Sequence, residues 1–236
     1  MNADRLAALT GAQLVKIATE DASSFKPVGA ELERRAPDPR AADALIDAYR
    51  KGAIPPWLVA HLLGCVRAAQ GYEVAREVLL AAPGLLAESY AGPAMARIAG
   101  AAAHDDLVGI MMNAPRLRSR EGAAYGLSVL KRPGTASLVL HAVQAGRVRR
   151  HPAAFIVGSL PDALPAILEW FSSEDETTEA MALDAAFSLV TQTAGDPDIG
   201  LAWAIRRTLD GGRVKQAPRT RQAMLMRIAP VLRRGT

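Results

Sequence analysis

Cysteine is nearly absent from this chain of 236 residues: Cys65 stands alone. No internal disulfide can form, and the usage suits a reducing compartment. Leu62, Leu63 and Val66 around it mark Cys65 as a small core residue. Aromatic residues are 5% of the chain, and with β-branched side chains also thin there is too little strand-forming material for a sandwich or barrel. The four histidines, His61, His104, His141 and His151, make no H-x3-H pair, and one cysteine completes no zinc set. The serine elbow G-x-S-x-G, the dinucleotide loop G-x-G-x-x-G and the phosphate loop G-x4-G-K-[ST] are missing, so no cofactor is implied. The start, MNADRLAALTG, has no apolar segment of leader length. The longest apolar stretch, 153–171, is interrupted by Pro161, Asp162, Pro165 and Glu169, which argues against a membrane span. The expectation is a soluble, cytoplasmic protein.

What is abundant is alanine, with 47 residues, in a chain that is 50% apolar and 22% charged. That balance excludes a disordered chain and favours helix, since Ala is the best helix former. Helical periodicity predicts helices at 10–21, 27–36, 39–51, 55–70, 72–82, 84–103, 105–113, 119–131, 135–146, 152–159, 162–172, 176–193, 197–210 and 218–234. The breaks fall at Pro37-Asp38-Pro39, Pro83-Gly84, Pro133-Gly134, Gly195-Asp196-Pro197 and Gly211-Gly212. Short connections make successive helices antiparallel neighbours.

An internal repeat runs through the middle of the chain. Ala123-Ala124-Tyr125-Gly126-Leu127-Ser128-Val129-Leu130 aligns without a gap on Ala153-Ala154-Phe155-Ile156-Val157-Gly158-Ser159-Leu160, 30 residues on. A third copy follows at the same spacing, Leu183-Asp184-Ala185-Ala186-Phe187-Ser188-Leu189-Val190, and 93–100 is a weaker one upstream. Small residues recur at Ser128, Gly158 and Ser188, where the next unit would approach closely. A second apolar helix precedes each copy, at 107–111, 137–140 and 167–171. One helical hairpin cannot bury both faces, whereas stacked hairpins can, and a fixed period of this size is the mark of an α-solenoid. Tyr125, Phe155, Phe187, Leu127, Val157, Leu130 and Leu160 are the expected core of the stack.

These three helices, with Arg120-Glu121-Gly122 and Arg150-His151-Pro152 at their starts, resemble the HEAT-like repeat family in its short variety. The resemblance covers 93–192 and implies an all-α fold, a right-handed solenoid of stacked antiparallel hairpins. The tetratricopeptide and ankyrin signatures are absent. The reading is a single domain, 1–236, with cap helices (1–52 and a basic 196–236) expected at the ends.

Charge is arranged in blocks. Residues 1–115 sum to −2, 116–151 to +7, 152–195 to −7 and 196–236 to +6. Within the basic block, Arg116, Arg118 and Arg120 precede one aligned helix, and Arg147, Arg149 and Arg150 precede the next. The following turn carries Glu174, Asp175, Glu176 and Glu179. Two readings stand side by side. Arg149 and Arg150 pair with Glu176 and Glu179 across adjacent repeats, such exposed pairs contributing about 0–1 kcal/mol each. Or the six arginines form a binding edge for an anionic partner, with Arg116, Arg118 and Arg120 the freer set.

The remaining chemistry is sparse. His104-Asp105-Asp106 reads as a polar loop with Asp105 near a helix start rather than a metal fragment. Some HEAT-like proteins are alkylpurine DNA glycosylases, which set aromatics and a carboxylate on a basic face; Trp170, Trp203 and Asp184 are the residues available for such roles. No motif supports that transfer, and Trp170-Phe171 follows core spacing from Ile167. The functional expectation is therefore a non-enzymatic protein–protein interaction module (adaptor, inhibitor or assembly factor) whose partner offers an acidic or groove-filling surface. The alternative is a nucleic-acid-binding solenoid, with base-excision chemistry as its extreme form. A third class, a lyase-like or chaperone role in cofactor attachment, has no specific residue behind it.

Overall fold

The computed structural model describes residues 3–81, 84, 86–192, 198–212 and 218–234. Among them every regular element is helical and no strand occurs. In chain order these are α1 (Ala3–Ala7), α2 (Gly11–Glu20), α3 (Phe25–Arg35), α4 (Pro39–Arg50), α5 (Pro56–Val66), α6 (Tyr72–Ala81), α7 (Ala87–Ala99) and α8 (His104–Asn113). They continue as α9 (Leu117–Leu130), α10 (Thr135–Gln144), α11 (Arg150–Gly158), α12 (Ala163–Trp170), α13 (Glu176–Gln192), α14 (Ile199–Gly211) and α15 (Pro218–Arg234). Short 3-10 turns at Ala69–Gly71 and Gly100–Ala103 overlap the ends of the helices expected at 55–70 and 84–103, and a third, Ala22–Ser24, leads into α3.

The ends follow local chemistry. Thr10 closes a capping box with Gln13, its backbone N–H donating to Gln13 Oε1 at 2.7 Å. Asp38 Oδ1 accepts the Ala41 amide at 3.0 Å ahead of Pro39, and Asp198 Oδ1 accepts the Leu201 amide at 2.9 Å. The expected breaks at Pro83 and at Gly195-Asp196-Pro197 lie outside the described residues. Helix α1 was not expected. Five residues cannot hold a helix by themselves. Leu6 is buried, and the Arg35 guanidinium donates to the carbonyls of Leu6 and Ala7, both at 2.9 Å, and of Leu9. Glu31 Oε1 fixes that guanidinium through Nε at 2.5 Å.

The chain divides into two compact units, Met1–Leu130 and Lys131–Thr236. In the first, α3, α5, α7 and α9 pack side by side in chain order, and α4, α6 and α8 pack against that row. Its core holds Leu14, Leu32, Leu45, Leu58, Leu62, Leu63, Leu79, Met95, Leu107, Met111 and Leu127, all fully buried. Each such side chain contributes about 1.5–3 kcal/mol relative to exposure. In the second unit α11, α13 and α15 form one row, and α10, α12 and α14 another.

Helices in these rows touch through their smallest residues. A methyl group on Gly158 would lie 2.7 Å from Ser188 Cβ, the small-residue position one period later. The same 30-residue offset joins Gly64 to the Ala94 Cα, at 3.1 Å from such a methyl, and Gly92 to the Gly122 carbonyl, which it would strike. At Gly92 the two backbones are too close for any side chain, and at Gly158 and Gly64 the glycine makes room for the Ser188 and Ala94 side chains.

The core expectation needs correction. Leu127, Val157 and Leu160 are buried, but Phe155 is 49% exposed and Tyr125, Phe187 and Leu130 are half-buried. The inner face of each aligned helix is taken by Ala123, Ala124 and Gly126, or by Ala153, Ala154 and Ile156. Close backbone approach leaves no depth for a ring there, so the rings stand on the flank.

Candidate functional site

The six sequence-selected arginines do not behave alike. Arg116 donates to the Ala81 carbonyl and Ser119 to the Leu80 carbonyl, at 3.3 Å. Both therefore satisfy the last carbonyls of α6, where a cation also suits the helix dipole. The expectation that Arg116 would be a freer group is thus corrected: its own chain uses it. Arg118 is exposed in the first turn of α9. Arg120, half-buried, has its Nε shielded and without a hydrogen-bond partner among the described residues. In the second unit Arg147 is exposed, and Arg149 is the N-cap residue of α11. Arg150 Nε donates to Asp184 Oδ2 at 2.8 Å rather than to Glu176 or Glu179. The pairing partner sits more than two turns into α13, and α11 and α13 run alongside each other, so residue 150 meets the helix body and not its acidic start. Each triplet belongs to a different unit.

The more concentrated chemistry lies on the α3–α5–α7–α9 row. Phe25 meets Trp57 edge to face at 5.4 Å between centroids and His61 at 5.3 Å. Tyr90 meets His61 at 4.9 Å and Trp57 at 6.1 Å. All four rings are half-buried, so one edge of the cluster faces solvent. Such edge-to-face pairs add about 0.5–1.5 kcal/mol beyond burial and hold the rings rigidly. Beside the cluster is an open depression of about 260 Å³, lined among others by His61, Tyr90, Pro93, Arg97, Tyr125 and Ser128. Burial, and next the Arg97 charge, hold the His61 imidazole below its ordinary value. Glu33 opposes this, but its carboxylate is engaged by Arg67 at 2.7 Å.

His61 Nε2 also lies 4.0 Å from Cys65 Sγ, the spacing of an i, i+4 pair. A cysteine–histidine pair suggests a nucleophile. Here burial pushes the Cys65 thiol up to about 11, so it stays protonated at neutral pH. The pair is packing, as the sequence reading of Cys65 expected.

A second depression, of about 430 Å³, belongs to the α11–α13–α15 row. Arg150 and Asp184 line it together with Phe155, Phe187, Thr191 and Met224. Neither tryptophan lines it: Trp170 is 7% exposed in the core and Trp203 is 47% exposed on α14. Of the three residues considered for an excision role, Asp184 alone lines this depression, with Arg150, Phe155 and Phe187 about it.

Asp105 and Asp106 do lie in the first turn of α8. Asp106 Oδ2 accepts from Tyr72 at 3.0 Å and from Arg76 Nε at 2.9 Å, tying α6 to α8. Burial, then this carboxylate, pushes the Tyr72 phenol up to about 12. Among the described residues no three histidine, cysteine, aspartate or glutamate side chains gather as a metal site. No helix among them is long and apolar enough to cross a membrane.

The aromatic cluster and Arg97 escaped the sequence reading. Phe25, Trp57, Tyr90 and Tyr125 do recur once per helix of the row, but at uneven spacings of 32, 33 and 35 residues. The only available signal was one aromatic near the start or middle of every second helix. The chain matches no known protein family, no curated protein and no solved structure.

Proposed function

We propose that this protein is a non-enzymatic protein-binding module, a HEAT-like α-solenoid that presents the face of one helix row to a partner. The rows packed in chain order and the 30-residue offset of the close contacts at Gly64, Gly92 and Gly158 support the solenoid reading. The observation that carries the binding reading is the half-exposed cluster of Phe25, Trp57, His61 and Tyr90. Rigid aromatic anchors at the edge of a depression are what protein interfaces use for most of their affinity. The cations beside the cluster are few: Lys26, 5.9 Å from the Phe25 ring, and Arg97. A groove that tracks a nucleic-acid backbone carries a series of such charges along its length. Two of the arginines best placed to supply one, Arg116 and Arg150, are engaged by their own chain.

The test is association in extracts of the native cell, using the full chain and a Trp57→Ala/Tyr90→Ala variant at two salt concentrations, with and without nuclease. A protein that stays bound after nuclease and higher salt, and is lost with the variant while helical content is kept, is the expected result. Association that disappears with nuclease and falls steeply with salt would instead make this a nucleic-acid binder.

A further inference from the structure

The depression between α5, α7 and α9 has a more specific character than an apolar groove. Arg97 is its one charged side chain, and no carboxylate lines it. Arg97 is exposed and makes no hydrogen bond or ion pair with any described residue. Its stem lies over α5: a methyl group on Gly64 would sit 3.7 Å from Arg97 Cδ. The aliphatic stem therefore lies along α5, and the guanidinium donors meet no acceptor among the described residues. Glu33, which with Arg97 acts on His61, is engaged by Arg67 at 2.7 Å.

A second polar group comes from Pro93, which sits inside α7 and faces the same depression. Proline has no amide hydrogen, so the carbonyl of Ser89, four residues earlier, lacks its helical donor. Ser89 is exposed and lines the depression. The depression therefore has a cation with no anion among the described residues, and at Ser89 a carbonyl without its i+4 donor. Tyr90 and Tyr125 line the same depression. The volume, about 260 Å³, suits one side chain and its peptide group and is small for a larger ligand.

We propose that this depression receives an acidic side chain of a partner peptide, with Arg97 pairing its carboxylate, Tyr90 and Tyr125 flanking its aliphatic stem, and the Ser89 carbonyl accepting a peptide N–H. The inference rests on the protein-binding reading above and adds the partner's chemistry. An aspartate or glutamate flanked by apolar residues is the element recognised. A planar guanidinium favours a carboxylate through two parallel hydrogen bonds, which gives direction as well as affinity.

The experiment is selection of a displayed library of random peptides on the full-length protein, followed by titration of the commonest selected peptide made synthetically. The expected outcome is enrichment of Asp or Glu beside apolar residues. Arg97→Gln should weaken the synthetic peptide about tenfold, and replacing its acid by the amide should do the same. The two changes together should cost little more than either one. Arg97→Lys should retain part of the affinity, and Lys16→Gln, at an exposed position on α2 outside the depression, all of it. Circular dichroism of each variant guards against unfolding. Selected peptides without acids, or binding indifferent to Arg97→Gln, would overturn the site and leave the protein-binding reading standing. A selection that returns no binding peptide would overturn that reading as well.

Discussion

Replacing Gly92 by alanine tests the packing that forms the candidate site. Gly92 lies on α7 between Tyr90 and Pro93, where α7 crosses α9 at Gly122 and Gly126. The new methyl group would collide with the Gly122 carbonyl oxygen, and would lie 2.7 Å from the carbonyl carbon and 3.2 Å from the Gly126 nitrogen. All of these are backbone atoms, so no side-chain rotation relieves the clash and the two helices must separate. Overpacking of this kind costs about 1–3 kcal/mol, and a backbone collision belongs at the upper end. Alanine regains about 1 kcal/mol of helix propensity. The net loss is then about 2 kcal/mol. Urea unfolding followed by circular dichroism should show a lower midpoint with an unchanged slope. At about 2–4 °C per kcal/mol for a chain of this length, the melting temperature should fall by roughly 4–8 °C. A midpoint that is unchanged or raised would refute the account, because it would mean that α7 and α9 do not meet at this residue.

Gly109→Ala is the control: nothing lies within 4 Å of a methyl group there, so α8 should gain up to about 1 kcal/mol, with the melting temperature rising. Since His61 is held below its ordinary value of 6.5, its contribution to stability is present above that pH and is lost as pH falls through the lower folded value. The urea midpoint should therefore drop on acidification below about pH 6.5 and drop less in His61→Gln, the groups facing the ring being Arg97, Glu33 and Cys65; equal pH profiles would assign the drop elsewhere. The Cys65 thiol, pushed up to about 11 by burial, should react with a thiol reagent at neutral pH only at the rate of opening; labelling as fast as a free thiol would contradict its burial. Arg150→Gln removes a pair in which the arginine is 43% exposed, so stability should change by about 1 kcal/mol or less; a loss of several would make the pair far more shielded than the geometry implies.

The helices were legible because their punctuation is. Asp38-Pro39, Gly134 and Gly212 end or begin elements by mechanisms that act over a few residues, and alanine fills what lies between. The offset that brings Gly158 to Ser188 was legible too, since small residues at a fixed period have few other uses. The placement of Phe155 and Phe187 was not. Apolar periodicity marks a face, but it does not say that alanine and glycine take the inner part of that face when helices approach this closely. Helix α1 depends on Arg35, which comes 26 to 29 residues later, a distance no local pattern spans. The aromatic cluster was hidden for a related reason. Phe25 and Trp57 lie in the part of the chain that keeps no clear register, and Arg97 lies in a segment whose net charge is negative. Only the fold separates this arginine from the carboxylates that balance it in the count.

The order in which helices touch has a consequence for motion. In the first unit α7 is flanked by α5 and by α9, and both neighbours run against it closely. The short α1 has much less around it. Amide hydrogens should then exchange in a gradient, earliest at α1 and slowest along α7, where release needs the largest opening. The Tyr90–Arg97 face stands on that slowest backbone. A partner docking there meets a backbone already ordered, so little backbone entropy remains to be lost from this side of the contact, and the cost falls on the exposed Arg97 side chain.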